Sequence, residues 1–413
     1  MRPVTGTSLR LGRSIPPADV HFEQGTLLAG QGRLLEAEAA FRRALEARTP
    51  FPEALNNLGN VLIELGRFDE ALGIFRQALA TGLPDARVYY NIGSTLKWTG
   101  DLEAGAAYLR RAMALGPDFT DAYNNYGNNR SDADELEAAV IAYRRALRLA
   151  PQSRLAHENL GRALYLMHGH GAVEAAARYA DEWLRDHPDN PLAAHLGAAL
   201  AGKATDTRAS DGFVRQTFDL FAPAFEQTLA GLGYRAPDLL AAAVRAEGVE
   251  RGATILDAGC GTGLCAPLLR PLARRLVGVD LSSGMLSRAY GRGLYDELCE
   301  AELGAFLAGR PEAFDVIVAA DVLCYFGALD AVLAAAARAL RPGGLLAFTV
   351  ERMDGGGDHR VNPHGRYTHA EEYVRRTLAG AGLDLRALVP ETLRHEGHQP
   401  VVGFVVTARR PAA

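Results

Sequence analysis

The stretch ILDAGCGTGL, Ile255 to Leu264, sets three glycines, Gly259, Gly261 and Gly263, at alternate positions behind an aspartate and a short apolar run. Ile255-Leu256 reads as the end of a strand and Leu264 as the start of a helix, so the glycines form the connecting turn. Glycine is the residue that takes positive φ without penalty and lets a backbone approach a ligand to van der Waals contact. Nucleotide-binding turns share this logic, and G-x-G-x-x-G marks a dinucleotide. Here the order is D-x-G-x-G-x-G, with Asp257 ahead of the glycines. A carboxylate at that point repels a phosphate and accepts a hydrogen bond from an amino group. The turn therefore suits a cationic, phosphate-free ligand.

Outward from this turn, short apolar runs alternate with helical stretches: TILDAG, RLVGVD, FDVIVAAD, GLLAFTV, DLRALV and VVGFVVTA, with helices such as LCAPLLRPLAR and ALDAVLAAAARAL between the early ones. Such alternation predicts a parallel sheet covered by helices on both faces. Ligands bind these sheets at the carboxyl ends of the strands. Asp280 ends the second strand in LVGVDLSSGML, where a carboxylate can accept both hydroxyls of a ribose, and Leu281 and Met285 can pack on a base. Glu302 in CEAEL is placed to meet an adenine amino group, and Asp321 in AADVLCYF ends the fourth strand at the mouth of the site. RALRPGGLLAFTVE supplies a turn ahead of the fifth strand.

Glycine turn, ribose acid and LRPGG, in this order, resemble the class I S-adenosylmethionine-dependent methyltransferases over about residues 213–410. The resemblance implies a Rossmann-like α/β domain with a seven-stranded, mostly parallel sheet. It implies S-adenosylmethionine as cofactor and S-adenosylhomocysteine as product. Gly259, Gly261 and Gly263 then lie against the amino-acid part, Asp280 on the ribose, and Glu302 with Leu303 near the adenine. The usual residue at the position of Glu302 is aspartate.

The first half repeats itself. Gly25, Gly59, Gly93, Gly127 and Gly161 recur every 34 residues, followed by Phe41, Phe75, Tyr108, Tyr143 and Tyr179 and closed by Pro50, Pro84, Pro117, Pro151 and Pro188. Apolar residues between these marks fall at helical spacing, so each unit reads as helix, turn, helix, then a proline that forbids continuation. This resembles the tetratricopeptide repeat over about residues 20–188. The resemblance implies an all-α solenoid with a concave face. The fourth unit, GNNRSDADELEAAV, lacks the turn glycine, which predicts a shortened first helix. The fifth carries an insertion around MHGHGAV, and NPLAAHLGAALAG is expected to be a capping helix. Asn57, Asn91, Asn125 and Asn159 sit two residues before the repeat glycine, with Asn60 and Asn128 as a second partial row. Asparagine amides can pair with a peptide's N–H and C=O groups, and a similar ladder holds substrate peptide in the O-linked N-acetylglucosamine transferase family. The alternative is a helix-packing habit at this position.

These pieces predict a flexible leader at 1–19, a repeat domain at 20–202, a linker at 203–212 and a methyltransferase domain at 213–413. The whole chain resembles a bacterial group of methyltransferases carrying tetratricopeptide repeats, in which FDLFAPAFEQTLAGLGYRAP also precedes the domain. That resemblance favours a lid reading of Phe218, Phe221 and Phe225, spaced along one helix face, and makes Tyr234 and Arg235 candidates for the ligand carboxylate.

A net charge of −5 without a long basic run argues against a broad nucleic-acid or anionic-membrane surface. Four cysteines without zinc spacing suit free thiols and a cytoplasmic setting, and predict no metal site. The N-terminus lacks a signal peptide's apolar core and no run is long enough to span a membrane. Methyl transfer needs alignment and sometimes a base. Base candidates are Tyr325, His364, Tyr367, His369, His395 and His398, with Thr368 a possible cap of the helix at His369. The D/N-P-P-aromatic signature is absent after Asp321. The leading reading is a methyltransferase whose repeats capture a protein or peptide acceptor. A small-molecule or carrier-bound acceptor, with repeats used for assembly, is a second reading. A cofactor-binding scaffold without turnover is a third.

Overall fold

The computed structural model describes residues 16–82, 85–203, 207–396 and 399–412. Helix–turn–helix pairs fill the N-terminal part: α1 Pro17–Gly30, α2 Leu34–Ala47, α3 Pro52–Glu64, α4 Phe68–Ala80, α5 Ala86–Leu96, α6 Leu102–Leu115, α7 Thr120–Asp132, α8 Leu136–Leu149, α9 Arg154–Gly169 and α10 Val173–Asp186. Most of the expected leader, and Pro84, lie outside the described residues. Its last residues do not: Pro17 opens α1 rather than blocking it, because a first-turn N–H has no helical partner to lose. Among the described residues no helix is long and apolar enough to cross a membrane.

Each turn between paired helices uses a left-handed residue. Gly32, Gly66 and Gly100 have φ of 72°, 76° and 82°. In the fourth repeat Asp134 takes that role at φ 62°, which a short polar side chain tolerates better than most. The expected shortening of α7 therefore does not occur, and the helix keeps 13 residues. The insertion in the fifth repeat lengthens α9 to 16 residues and delays the turn to Gly171, φ 87°.

The repeat glycine and aromatic meet inside one repeat. A Cβ on Gly25 would stand 2.7 Å from the Phe41 ring, on Gly59 2.3 Å from Phe75, and on Gly127 2.5 Å from Tyr143. In the third repeat the partner of Gly93 is Leu109, at 2.7 Å, and not Tyr108. The contact needs a fixed offset along the chain, and Tyr108 is one residue out of phase. Tyr108 instead lies 6.1 Å from Tyr89.

Packing divides the chain into Met1–Ala163 and Leu164–Ala413. In the second unit the expected capping helix is a π-helical turn, Ala193–Gly197, continued by Ala198–Leu200. Its His195 donates from Nε2 to the Gly365 carbonyl at 2.8 Å and lies 4.2 Å from the Phe213 ring.

The sheet comprises β1 Ala253–Ala258, β2 Ala273–Asp280, β3 Glu297–Glu300, β4 Phe314–Ala319, β5 Leu340–Arg352, β6 His359–Val361, β7 Tyr367–His369, β8 Asp384–Glu396 and β9 Gln399–Arg409. Strands β3-β2-β1-β4-β5 pair in parallel, β9 pairs antiparallel with β5, and β8 with β9. These are the seven expected strands. Two short strands bring the sheet to nine: β7 lies parallel to the last residues of β5, and β6 antiparallel to β7. Ile255 and Leu256 are both fully buried, as a strand covered on two faces requires.

Two helix expectations change. LCAPLLRPLAR is helical only over Ala266–Leu269, because Pro271 removes a donor and clashes with the preceding turn. Thr368 and His369 belong to β7, and the following helix, Glu371–Gly380, starts after Ala370 without a side-chain cap. Because β1 lies between β2 and β4, the strand order reverses there, and the crevice opens at their carboxyl ends.

Gly59→Ala puts a methyl group into the Phe75 ring. It is expected to destabilise the repeat unit by about 1–3 kcal/mol, read as an earlier denaturation midpoint by circular dichroism. An unchanged midpoint removes the close-packing role assigned to this glycine.

Candidate active site

All three glycines of the opening turn have positive φ: 66° at Gly259, 53° at Gly261 and 84° at Gly263. Their surroundings differ. A Cβ on Gly259 would meet Val322 Cγ2 at 2.4 Å, and one on Gly263 would meet Tyr295 at 3.0 Å and Arg292 at 3.1 Å. At Gly261 nothing but a Phe225 ring carbon comes within 4 Å, at 3.9 Å. Two glycines thus serve packing and one leaves bare backbone facing open space.

Gly261 N–H donates to Asp280 Oδ2 at 2.8 Å, and Ser282 N–H to Oδ1 at 2.9 Å. Each oxygen keeps a lone pair for a further donor. Burial pushes the Asp280 carboxyl above its usual range, against the pull of these N–H groups. Asp257 sits behind the turn. It is buried and accepts the Tyr295 hydroxyl at 2.6 Å, and burial raises its carboxyl to about 7.

Around Gly261 lies a cavity of about 300 Å³. Of the residues expected at the site, its wall includes Phe218, Tyr234, Gly259, Gly261, Asp280, Leu281, Met285, Glu302, Leu303, Asp321 and Tyr325. Asp257, Gly263, Arg235, His364 and His369 are not in the wall. Phe218, Phe221 and Phe225 form an apolar roof with edge-on rings, 5.4 Å between Phe221 and Phe225 and 5.5 Å between Phe218 and Tyr325. They come from two helices, Asp211–Phe221 and Phe225–Gly231, not from one face of a single helix. Asp219 fastens the first by accepting Ser282 Oγ at 2.6 Å and Gly284 N–H at 3.2 Å, and Glu226 fastens the second through Arg292 at 2.8 Å.

Part of the expected linker belongs to this site. Thr207 O accepts the N–H groups of Gly327 and Ala328, both at 2.8 Å, and Ala209 N–H donates to Tyr325 O at 2.8 Å. Arg208 and Ala209 consequently line the cavity. Glu302 caps the helix Leu303–Ala308 through Gly304 and Ala305 N–H, with Arg208 Nη1 3.7 Å from its Oε1.

At the other end of the cavity lies an ion network that the sequence reading missed. Arg394 pairs with Asp321 at 2.7 Å, with Glu396 at 3.0 Å and with Glu351; Arg366 pairs with Glu351 at 2.7 Å and with Glu396. Burial opposes ionisation of Glu351, but Arg366 and Arg394 outweigh it and hold its carboxyl below the usual range. Asp321 itself has φ 53°, fixed by mutual bonds to Thr349: its N–H donates to Oγ1 at 2.9 Å and Thr349 Oγ1 donates to its Oδ1 at 3.0 Å. The available signal was Glu351 inside an apolar strand, and Arg394 and Glu396 two apart on β8, hence on one face.

The histidines expected as bases lie elsewhere. His369 is fully buried in β7, with Nε2 donating to Phe326 O at 2.8 Å, and burial lowers it to about 4. His364 accepts Arg366 N–H on Nδ1 at 3.2 Å; burial and then Arg366 lower it to about 4. His398 falls outside the described residues. Tyr367 is buried and His395 exposed, and neither lines the cavity. Arg235 is half exposed and points toward Glu391, 3.7 Å away. The cavity wall carries four carboxylates, Asp280, Glu302, Asp321 and Glu396, against three guanidinium groups, Arg208, Arg366 and Arg394. Bare backbone at Gly261, a carboxylate with free lone pairs beside it and a surplus of negative charge are features that a sulfonium nucleoside fits.

In the first unit the ladder asparagines are half-buried and tie successive repeats together. Asn91 Nδ2 donates to Asn56 Oδ1 at 2.9 Å, Asn125 Nδ2 to Tyr90 Oη and Ser94 Oγ at 2.9 Å each, and Asn159 Nδ2 to Asn124 Oδ1 at 3.0 Å. Asn57 Oδ1 accepts Asn56 Nδ2 at 3.4 Å, and Asn128 Oδ1 accepts the Tyr143 hydroxyl at 2.8 Å. Asn60 lies half-buried on the same row.

A doubly wound sheet with a glycine turn and a carboxylate at its switch point defines a Rossmann-like α/β domain. A methyltransferase-domain family model matches residues 256–348, and tetratricopeptide-repeat models match 22–87, 127–191 and 86–119. The chain is 31% identical over 186 residues to a ubiquinone biosynthesis O-methyltransferase of Chelativorans sp., covering 39% of this chain and 73% of that protein. It is 38% identical over 138 residues to methyltransferase-like protein 27 of Homo sapiens, covering 32% of this chain and 55% of that one. The chain spans about half the length of the curated relatives it matches first, 55% and 44%. Among solved structures it is similar to YrrB, described as a tetratricopeptide-repeat protein with an unusual peptide-binding site, at 25% identity and TM-score 0.36, over 43% of this chain and 90% of that one. The chain belongs to the S-adenosylmethionine-dependent methyltransferases, with tetratricopeptide repeats ahead of the methyltransferase domain.

The buried neutral His369 makes the α/β unit acid-sensitive. Its folded value of about 4 lies below the ordinary one of about 6.5. The unfolded chain therefore binds the extra proton, and stability present above about pH 6.5 is lost as pH falls toward 4. Glu351, held below its usual range, adds a loss at the acid end. The melting temperature of the α/β unit is expected to fall over this window, and less steeply in His369→Gln, whose amide can still donate to Phe326 O. A His369→Gln variant with undiminished acid sensitivity contradicts the assignment.

Proposed function

We propose that this chain is a methyltransferase that transfers the methyl group of S-adenosylmethionine to a protein or peptide acceptor captured by its repeats. The observation that carries the cofactor half is the Asp280 carboxylate, held open-handed by Gly261 and Ser282 N–H beside the bare backbone of Gly261. In this reading Asp280 accepts the ribose hydroxyls, Gly259 and Gly261 lie against the amino-acid part, and Leu281, Met285 and Leu303 cover the base. Glu302 stands near the adenine edge. Asp257 and Gly263 act from behind, fixing the turn through Tyr295. Tyr234 in the wall, rather than exposed Arg235, is the candidate to meet the amino-acid end.

S-adenosylmethionine, when bound, supplies a methyl group on a positively charged sulfur that is already activated for in-line displacement. This chain's residues then supply alignment and dryness. Phe218, Phe221 and Phe225 exclude water from above. The negative surplus of the wall favours the cation over its neutral product. Tyr234 and Tyr325 turn toward the cavity, and burial holds both phenols above their ordinary range, so at neutral pH they donate hydrogen bonds rather than remove protons. The Asp321–Arg394–Glu351–Arg366–Glu396 network holds the acceptor end rigid.

The acceptor half rests on the repeats, whose asparagine row is regular over four units. A small-molecule or carrier-bound acceptor is the second reading. It is favoured by relatives named for ubiquinone biosynthesis and for O-methylation of malonyl-[acyl-carrier protein].

Asp280→Ala removes two hydrogen bonds to a charged acceptor, worth about 1.5–3 kcal/mol each. Affinity for S-adenosylhomocysteine by calorimetry is expected to fall at least roughly 100-fold; unchanged affinity removes the ribose assignment. Incubating cell extract with the protein and methyl-labelled cofactor is expected to place label in the protein fraction. Label confined to small molecules selects the second reading.

A further inference from the structure

Helices α1, α3, α5, α7 and α9 each present the same helical face, marked in four of them by a ladder asparagine. The inter-repeat bonds decide which end of each amide is left. Asn91, Asn125 and Asn159 all spend Nδ2 on the preceding repeat, while Oδ1 of each has no hydrogen-bond partner among the described residues. The ladder therefore offers a row of carbonyl acceptors, not the two-sided amides that the sequence alone suggests. Neighbouring packed helices lie about 8–10 Å apart, which is about three residues of extended chain. Successive carbonyls are spaced to accept about every third N–H of such a chain.

Charge on the same face points the same way. Acids stand along this face: Glu23 at the ladder position of the first repeat, Asp19, Glu53 and Asp121 one turn before a ladder position, Glu64 and Asp132 two turns after one, and Glu158 beside Asn159. Asp19 and Asp132 are answered by Arg48 at 2.9 Å and Lys97 at 2.7 Å. Glu23, Glu53, Glu64, Asp121 and Glu158 form no ion pair among the described residues. The bases near it are Arg87, paired with Asp85 at 2.9 Å and within electrostatic reach of Glu53, then Lys97, and Arg154 and Arg162 beside Glu158. Glu158 is half-buried beside Asn159, and burial, only partly offset by Arg154 and Arg162, raises its carboxyl to about 7.

We infer that this face binds an extended basic segment, rich in lysine and arginine, of a protein partner. Its backbone N–H groups meet the Oδ1 atoms of Asn91, Asn125 and Asn159, and its cationic side chains meet Glu23, Glu53, Glu64, Asp121 and Glu158. A face made of acceptors on both counts is matched by a chain that supplies donors on both counts. The inference rests on the peptide-capturing reading of the repeats and narrows it to one class of acceptor or docking segment.

The test uses the full chain and three fluorescent peptides of equal length, one lysine- and arginine-rich, one neutral and one glutamate-rich. Fluorescence anisotropy is read at low and at physiological salt. The basic peptide is expected to bind, and to weaken as salt screens the face. The variant Glu53→Gln/Glu64→Gln/Asp121→Asn/Glu158→Gln is expected to lower that affinity at least about tenfold, with unchanged helicity and unchanged affinity for S-adenosylhomocysteine. Equal binding of all three peptides, or full affinity in the neutralised variant, overturns the charge selection and leaves peptide capture standing. No binding of any peptide overturns both.

Discussion

One carboxylate joins the two sides of the crevice at the carboxyl ends of the strands. Asp280, at the end of β2, accepts the N–H of Gly261 from the turn after β1 and the N–H of Ser282 from the start of its own following helix. Ser282 then receives its orientation from Asp219, on a helix that carries the aromatic roof. A buried acid with both oxygens held but not saturated is costly unless a further donor arrives. The crevice stores that requirement in its resting geometry. The glycine turn follows from it: only a left-handed Gly261 turns its N–H toward β2 while leaving the other side bare.

The far end of the cavity obeys a different constraint. Two arginines and three carboxylates lie buried or nearly so, and burying an ion pair gains little on balance. What the network provides is fixed position: Arg394 touches Asp321, Glu351 and Glu396 at once, drawing together β5, β8 and the loop after β4. The two short strands β6 and β7 close the same region, with buried His369 tying β7 to the loop at Phe326. Among the described residues no histidine lines this end of the cavity; paired arginines and carboxylates do.

The repeats show how one residue can satisfy packing and leave recognition open. Asn91, Asn125 and Asn159 use their donor half within the solenoid, so the asparagine spacing has a structural cause. The acceptor half of these three has no partner among the described residues, and it lies on a face where acids outnumber bases. The choice between packing habit and ligand contact therefore falls differently for the two ends of the same side chain.

The sequence by itself determined the two architectures, the phase of the repeats and the glycine turn after β1. Each depends on local chemistry: glycine at positive φ, apolar spacing at helical or strand period, an acid at a strand end. Tertiary structure decided the rest. Asp257 faces Tyr295 and not the cavity, Leu109 replaces Tyr108 at the repeat glycine, Asp134 rescues a turn without glycine, and Arg208 and Ala209 leave the linker to line the site. The network of Glu351, Arg366, Arg394 and Glu396 was hidden because its members come from separate strands and loops. No local pattern records which charges will meet, since the pairing is set by the register of β5, β8 and β9 across the sheet.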